Sequence, residues 1–178
     1  TQPAAVAGFD LTFSAPKSTS VLWALADTAT HQAVLAAHDA AVADVLGVIE
    51  QRALFTRTGA GGCAQVPVTG MVAAAFRHWD SRAGDPQLHT HVVVANKVRA
   101  ADGAWRSLDS RALHHAAVFA SELYNDLLAD HLAARLPLRW SWRDRGARRS
   151  PAYEVDGLDD TLLAAFSTRS ADIDQVVG

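Results

Sequence analysis

Three histidines are spaced so that their imidazoles can converge on one ion. His89 and His91 stand two apart in Leu-His-Thr-His-Val-Val-Val, a run whose composition predicts a strand. Side chains alternate along a strand, so both imidazoles share one face while Leu88, Thr90 and Val92 take the other. His78 lies on the far side of Ser81-Arg82-Ala83-Gly84-Asp85-Pro86, a strong turn composition. The midpoint of positions 78 and 89 is 83.5, and that of 78 and 91 is 84.5; both fall at Ala83–Gly84. Directly opposed residues of an antiparallel pair share a face, with Cβ atoms ~4.5–5.5 Å apart. A hairpin folded at this turn therefore stands His78 against His89 or His91. Three neutral imidazoles on adjacent strands suit a divalent first-row metal, with positions left open for substrate oxygens. The plain alternative is a polar sheet face that happens to carry histidine, which gives no reason for histidine rather than lysine or threonine. His31, His38, His114, His115 and His131 fall on predicted helices and read as ordinary surface or interface residues.

The elements that must position this cluster follow from local pattern. Gly8 to Phe13 predicts a short strand, with Phe9, Leu11 and Phe13 on one face and Asp10 and Thr12 on the other. Ser14 offers a helix cap and Pro16 a first-turn residue for a helix over Lys17 to Asp27. A longer helix is expected from about His31 to Arg52, with Val34, Leu35, Val42, Val45, Leu46 and Ile49 as its apolar stripe. Gly59 to Gly62 breaks the pattern. Strands are expected over Val66 to Trp79, Leu88 to Val98 and Trp105 to Leu108, the last after an Asp102-Gly103 turn. A helix from Ser110 to Arg135 should bury Leu113, Val118, Leu123, Leu127, Leu128 and Leu132, and Pro137 ends it. Short strands around Trp140 and Tyr153 and a helix from Asp159 to Phe166 complete the chain. The pattern is α+β, with a central, mostly antiparallel sheet flanked by helices.

Bulk properties narrow the function classes. The 178 residues fit a single domain spanning 1–178, and an apolar content of 49% is enough for a sizeable core. No uninterrupted apolar run approaches the ~18–20 residues of a membrane span, and no signal-peptide pattern opens the chain. No membrane insertion and a cytoplasmic location are expected. Cys63 is the only cysteine, which excludes an internal disulfide framework and a cysteine-rich zinc ribbon. A formal net charge of −3 does not favour a general nucleic-acid binder. Local charge is different: Arg135, Arg139, Arg143, Arg145, Arg148 and Arg149 interleave with Trp140 and Trp142. Such a mixture serves single-stranded nucleic acid, with charge for phosphates and flat faces for bases. A solvated hairpin with its tryptophans in the core accounts for it equally well.

Longer motifs carry a resemblance. Gly8-Phe9-Asp10-Leu11-Thr12-Phe13-Ser14-Ala15-Pro16-Lys17-Ser18, then Phe76-Arg77-His78, Ser81-Arg82 and Asp85-Pro86-Gln87-Leu88-His89-Thr90-His91-Val92, resembles the MobF class of conjugative relaxases, the TrwC and TraI type within the HUH endonuclease superfamily. Asp102-Gly103, Trp105-Arg106, Leu108-Asp109 and Phe166-Ser167-Thr168-Arg169 also fit, so the resemblance spans nearly the whole chain.

The resemblance implies site- and strand-specific nicking and rejoining of single-stranded plasmid DNA at an origin of transfer in bacterial conjugation. A tyrosine hydroxyl attacks the phosphodiester and leaves a 5′-phosphotyrosyl link. His78, His89 and His91 match the metal triad, implying one divalent ion, magnesium or manganese ahead of zinc. Asp10 matches the acidic residue that orients a metal histidine and helps take the tyrosine proton. Lys17 and Arg82 are candidate phosphate contacts, and each reads equally as a solvated charge. Accessory conjugation proteins and a C-terminal helicase domain are the implied partners.

One departure stands out. The family's nucleophile precedes the Gly-Phe-Asp motif, whereas no tyrosine precedes Gly8 here, and Tyr124 and Tyr153 fall where the family places none. The expectation is a relaxase domain lacking its catalytic-tyrosine segment and inactive by itself. Two other readings remain: a non-catalytic module that binds single-stranded DNA, and a three-histidine zinc hydrolase or lyase acting on a small molecule.

Overall fold

The computed structural model describes residues 5–68, 70–145 and 151–168. In chain order the elements are β1 (Gly8–Ser14), α1 (Lys17–Leu25), α2 (Thr28–Arg52), β2 (Phe55–Thr58), a 3-10 turn (Ala60–Gly62), β3 (Ala64–Pro67), β4 (Ala73–Asp80), β5 (Pro86–Ala95), β6 (Val98–Arg99), β7 (Trp105–Arg106), α3 (Ser110–Ala133), β8 (Trp140–Arg143), β9 (Ala152–Val155) and α4 (Asp160–Ala165). The expected α+β class is the one observed.

The sheet that matters most has the order β1-β5-β4. Asn96 N–H donates to the Ala7 carbonyl and Ala15 N–H to the Leu88 carbonyl, each at 2.9 Å. One strand counts up as the other counts down, so β1 and β5 are antiparallel. Gly8 is required on this seam, because a Cβ there would lie 2.7 Å from the Val94 carbonyl oxygen. The β4–β5 connection is closed by Ser81 N–H donating to the Asp85 carbonyl at 2.8 Å, with Gly84 at φ 81°. Along β5, Leu88, Thr90, Val92 and Val94 are buried while His89 and His91 are half-buried, the alternation expected of a strand with one covered face. Every residue of β4 is exposed.

The chain packs as two compact units. The first holds the chain up to Phe13 with Val42–Phe76 and His91–Tyr124. Its buried residues include Phe13, Val45, Ile49, Leu54, Val92, Val94, Val98, Leu113 and Tyr124. Inside it β2 and β3 form an antiparallel ribbon that pairs Phe55 with Pro67 and Thr58 with Ala64, and β6 pairs with β7. The second holds Ser14–Ala41, Arg77–Thr90 and the chain from Asn125. Its buried residues include Val21, Val34, Ala37, Leu88, Leu128, Leu132 and Leu163. Inside it β8 and β9 pair antiparallel, Trp140 opposite Val155 and Arg143 opposite Ala152. Glu154 on β9 is buried; its carboxylate accepts from Ser18 N–H at 2.8 Å and Ser18 Oγ at 2.5 Å, which caps the start of α1.

Several local expectations give way. The stretch expected as one strand from Val66 to Trp79 is two, β3 and β4, because Gly70 turns the chain at φ 85° between them. The cap of α1 is Pro16, not Ser14, so the hydroxyl expected to cap the helix does not. Val118, expected in the buried stripe of α3, is 75% exposed, whereas Leu113, Leu128 and Leu132 are buried as expected. β2 was not anticipated. By length and composition α2 is apolar enough to cross a membrane, yet its buried positions Val34, Ala37, Ala41, Val42, Val45 and Ile49 follow one stripe, as in a core helix.

Candidate metal centre

The hairpin does to the three histidines what the alternation requires. His78 on β4 and His89 and His91 on β5 each offer a ring nitrogen, and these atoms all lie within 4.8 Å of one another. The His78 and His89 rings meet edge to face with centroids 5.2 Å apart. His78 is exposed, and His89 and His91 are half-buried. Access of this kind suits a large substrate.

Hydrogen bonds decide which nitrogen His89 and His91 present. His89 Nδ1 lies 2.8 Å from the Gln87 carbonyl oxygen, an acceptor only, so Nδ1 carries the proton and Nε2 keeps its lone pair. His91 Nδ1 lies 2.8 and 3.0 Å from the two carboxylate oxygens of Asp10 and 3.1 Å from Thr12 Oγ1. A carboxylate on Nδ1 again directs Nε2 outward and makes it a stronger donor toward a cation. Asp10, half exposed at the middle of β1, is therefore bonded to one histidine of the cluster and is not capping a turn. His89 and His91, each with Nδ1 engaged and Nε2 presented, together with the His78 ring beside them, fit a divalent first-row ion.

The two residues expected to touch phosphate differ in setting. Lys17 at the start of α1 is half-buried, and its ammonium donates to the Pro86 carbonyl at 3.1 Å. Burial holds its pKa below the usual lysine range, while the Asp85 and Glu154 carboxylates pull it upward. Arg82 is exposed at the hairpin turn. The turn itself is fixed by Ser81 Oγ, which accepts from Ala83 N–H and Asp85 N–H, and by Thr168 Oγ1, which donates to Asp85 at 2.9 Å.

Neither tyrosine resembles a nucleophile in its surroundings. Tyr124 is 2% exposed and packs on Phe13, and burial pushes its hydroxyl far above the normal tyrosine pKa. Tyr153 is sandwiched on the β8–β9 hairpin, 5.4 Å from the Trp140 ring and 5.1 Å from the Trp142 ring. The arginine-tryptophan cluster is divided between surface and interior. Trp142 is 70% exposed, whereas Trp140 is half-buried with its indole nitrogen enclosed. Arg143 is tied to Asp160 and to the Leu158 carbonyl, while Arg139 and Arg145 are exposed. Arg148 and Arg149 lie outside the described residues, as does Arg169.

His38, expected as an ordinary surface or interface residue, lies in the core instead. It is fully buried on α2, and Nε2 lies 2.7 Å from Thr90 Oγ1. Burial lowers its pKa to about 4, so the ring is neutral. The signal was available: His38 sits four residues from both Val34 and Val42, in line with the apolar stripe.

The model of the TrwC relaxase family matches residues 1–178. The chain belongs to the TrwC relaxase family. It is 35% identical over 178 residues to the multifunctional conjugation protein TraI of Escherichia coli, covering 96% of this chain and 10% of that protein. TraI of Escherichia coli strain K12 is 33% identical over 181 residues with the same coverage. Among solved structures, conjugative relaxase TrwC in complex with oriT DNA, copper-bound, superposes with a TM-score of 0.82 at 34% identity, covering 95% of this chain and 55% of that one. A metal-bound TrwC–oriT complex gives 0.81 at 33%, again 95% and 55%. The chain thus spans about a tenth of its curated relatives and about half of the solved relaxase chains. The relaxase fold expected from the sequence is the fold observed.

Proposed function

We propose that this chain is the metal-binding part of a DNA relaxase that nicks and rejoins one strand at a plasmid origin of transfer. The observation that carries the reading is the cluster of three imidazoles, with Asp10 on the back of His91, in a member of the TrwC relaxase family. The relatives named above include TrwC bound to oriT DNA and to metal.

His78, His89 and His91 would hold one divalent ion; the family resemblance implies magnesium or manganese, and an all-imidazole donor set would also suit zinc. Bound there, such an ion would supply Lewis acidity to a phosphodiester under attack. Asp10 fixes the tautomer and direction of His91 and stands as a base for the proton of an attacking hydroxyl. Lys17 and Arg82 are proposed phosphate contacts, Arg82 being the freer of the two to reach DNA. Trp142, exposed on β8, offers a face on which a base can stack. Single-stranded origin DNA is the substrate, bacterial cytoplasm the location, and accessory transfer proteins and a helicase domain the partners. The chain serves as part of a single relaxase domain.

The nucleophile is neither Tyr124 nor Tyr153, given the burial of the first and the stacking of the second. Taken by itself the chain then binds single-stranded DNA and metal without cutting. The test is cleavage of a labelled single-stranded origin oligonucleotide by the full-length native protein across a manganese titration. Metal-dependent cleavage supports the reading; metal binding with neither DNA binding nor cleavage sinks it and brings forward a hydrolase acting on a small molecule.

A further inference from the structure

The buried stripe of α2 is alanine, valine and isoleucine except at one position. His38 stands in it with no exposure, between Val34 and Val42. A leucine there would bury more apolar area without desolvating a polar ring, so an imidazole in this setting costs stability unless its hydrogen bond repays it. Its partner is what makes the choice informative. Thr90 is itself buried and lies between His89 and His91 on β5, with its side chain on the opposite face of the strand.

We propose that His38 is a positioning residue for the metal cluster, holding Thr90 from behind so that His89 and His91 stay turned to the open face of β5. The inference rests on the triad being the metal site. A strand residue can rotate its neighbours' side chains only by twisting the backbone between them. The 2.7 Å contact from Nε2 to Thr90 Oγ1 pins that backbone from the covered side. Two further ties act on the strands that carry the cluster. Leu88 N–H donates to Ser20 Oγ of α1 at 3.1 Å, which fixes the residue before His89. Asp39, next to His38, pairs with Arg77 at 2.5 Å, so α2 also reaches the residue before His78. That ion pair is partly exposed and contributes less. A histidine chosen only to fill space would have no reason to bond the one residue that separates two ligands.

The test compares the full-length native protein with Thr90→Val, His38→Leu, His38→Gln and the double variant Thr90→Val/His38→Leu, using His89→Ala as background. Calorimetry with manganese gives affinity, and the visible spectrum of the cobalt-loaded protein reports ligand geometry; thermal unfolding without metal checks that each variant is folded. Thr90→Val keeps the shape of the side chain and guards against loss of fold at position 38. Thr90→Val and His38→Leu each weaken manganese binding about 10-fold and shift the cobalt spectrum. His38→Gln, which keeps a hydrogen-bonding group, recovers much of the affinity, and the double variant is no worse than either single one. Wild-type affinity and spectrum in folded Thr90→Val and folded His38→Leu overturn the proposal and leave the triad standing. Failure of the unsubstituted protein to bind either metal above the His89→Ala background removes the triad and this inference with it.

Discussion

Asp10 and His91 face each other from adjacent strands, with both carboxylate oxygens within 3.0 Å of Nδ1. The pair sits on the polar face of β1 and β5, where Asp10 and Thr12 alternate with the inward-facing Leu11 and Phe13. A carboxylate there sets the direction of the imidazole before any ion arrives, which lowers the cost of assembling the site.

Removing that orientation should be measurable as metal affinity. Asp10→Ala is expected to weaken manganese binding about 10- to 100-fold and to lower cleavage at least as much. Asp10→Asn retains an acceptor oxygen for Nδ1–H but no charge, so its affinity falls between the two. Calorimetry on the full-length protein checks the order; equal affinities in all three forms would remove Asp10 from the site.

Gly8→Ala tests the β1–β5 seam. The added methyl would lie 2.7 Å from the Val94 carbonyl oxygen, so the backbone must shift. A loss of about 1–3 kcal/mol is expected in urea unfolding. Metal binding should weaken as well, since the same seam brings Asp10 to His91.

Asp109 is buried just before α3 and accepts from Arg57 Nε and Gln65 Nε2, each at 2.9 Å, and from Arg111 N–H at 3.2 Å. Burial raises its pKa, but the Gln65 and Arg57 hydrogen bonds outweigh that and hold it below the normal carboxylate value. Asp109→Ala leaves two side-chain donors without their acceptor and frees the β2–β3 ribbon, for an expected cost of about 1–3 kcal/mol. Amide exchange should accelerate in Phe55–Pro67 more than in β5; uniform acceleration would contradict a local role.

His38 gives the fold an acid-sensitive term. Its folded pKa of about 4 lies below the unfolded value of 6.5, so the unfolded chain binds the proton more readily. Stability from this group is fully present above pH ~6.5 and is lost as pH falls toward ~4, on the order of 3 kcal/mol in all. Urea titrations of the metal-free protein between these pH values should show that slope in the wild type and a flatter one in His38→Gln. Parallel slopes would contradict a neutral buried imidazole.

The site was more legible than the surroundings that hold it. A period of two and a turn at Ala83–Gly84 suffice to bring His78, His89 and His91 together, because strand alternation is local geometry. The pairing of Asp10 with His91 depends on which strand lies beside β5, and only the family motif pointed there. Position on a helix alone makes His38 an ordinary surface or interface residue, whereas its spacing from Val34 and Val42 places it inside. Val118 failed in the opposite direction: helical periodicity assigns a stripe, but the packing partner decides how far the stripe extends. β2 escaped notice because Phe-Thr-Arg-Thr is too short to show alternation, and its hydrogen bonds come from β3 beyond a glycine-rich turn.

The most direct test is the covalent product itself. Full-length native protein, manganese and a labelled single-stranded origin oligonucleotide are combined and resolved under denaturing conditions. A protein–DNA adduct and a free 3′-hydroxyl fragment are expected from the wild type. They should persist in Tyr124→Phe and Tyr153→Phe and vanish in His89→Ala and after chelation. An adduct that survives His89→Ala and chelation, or one lost in Tyr153→Phe with metal binding intact, would contradict the account.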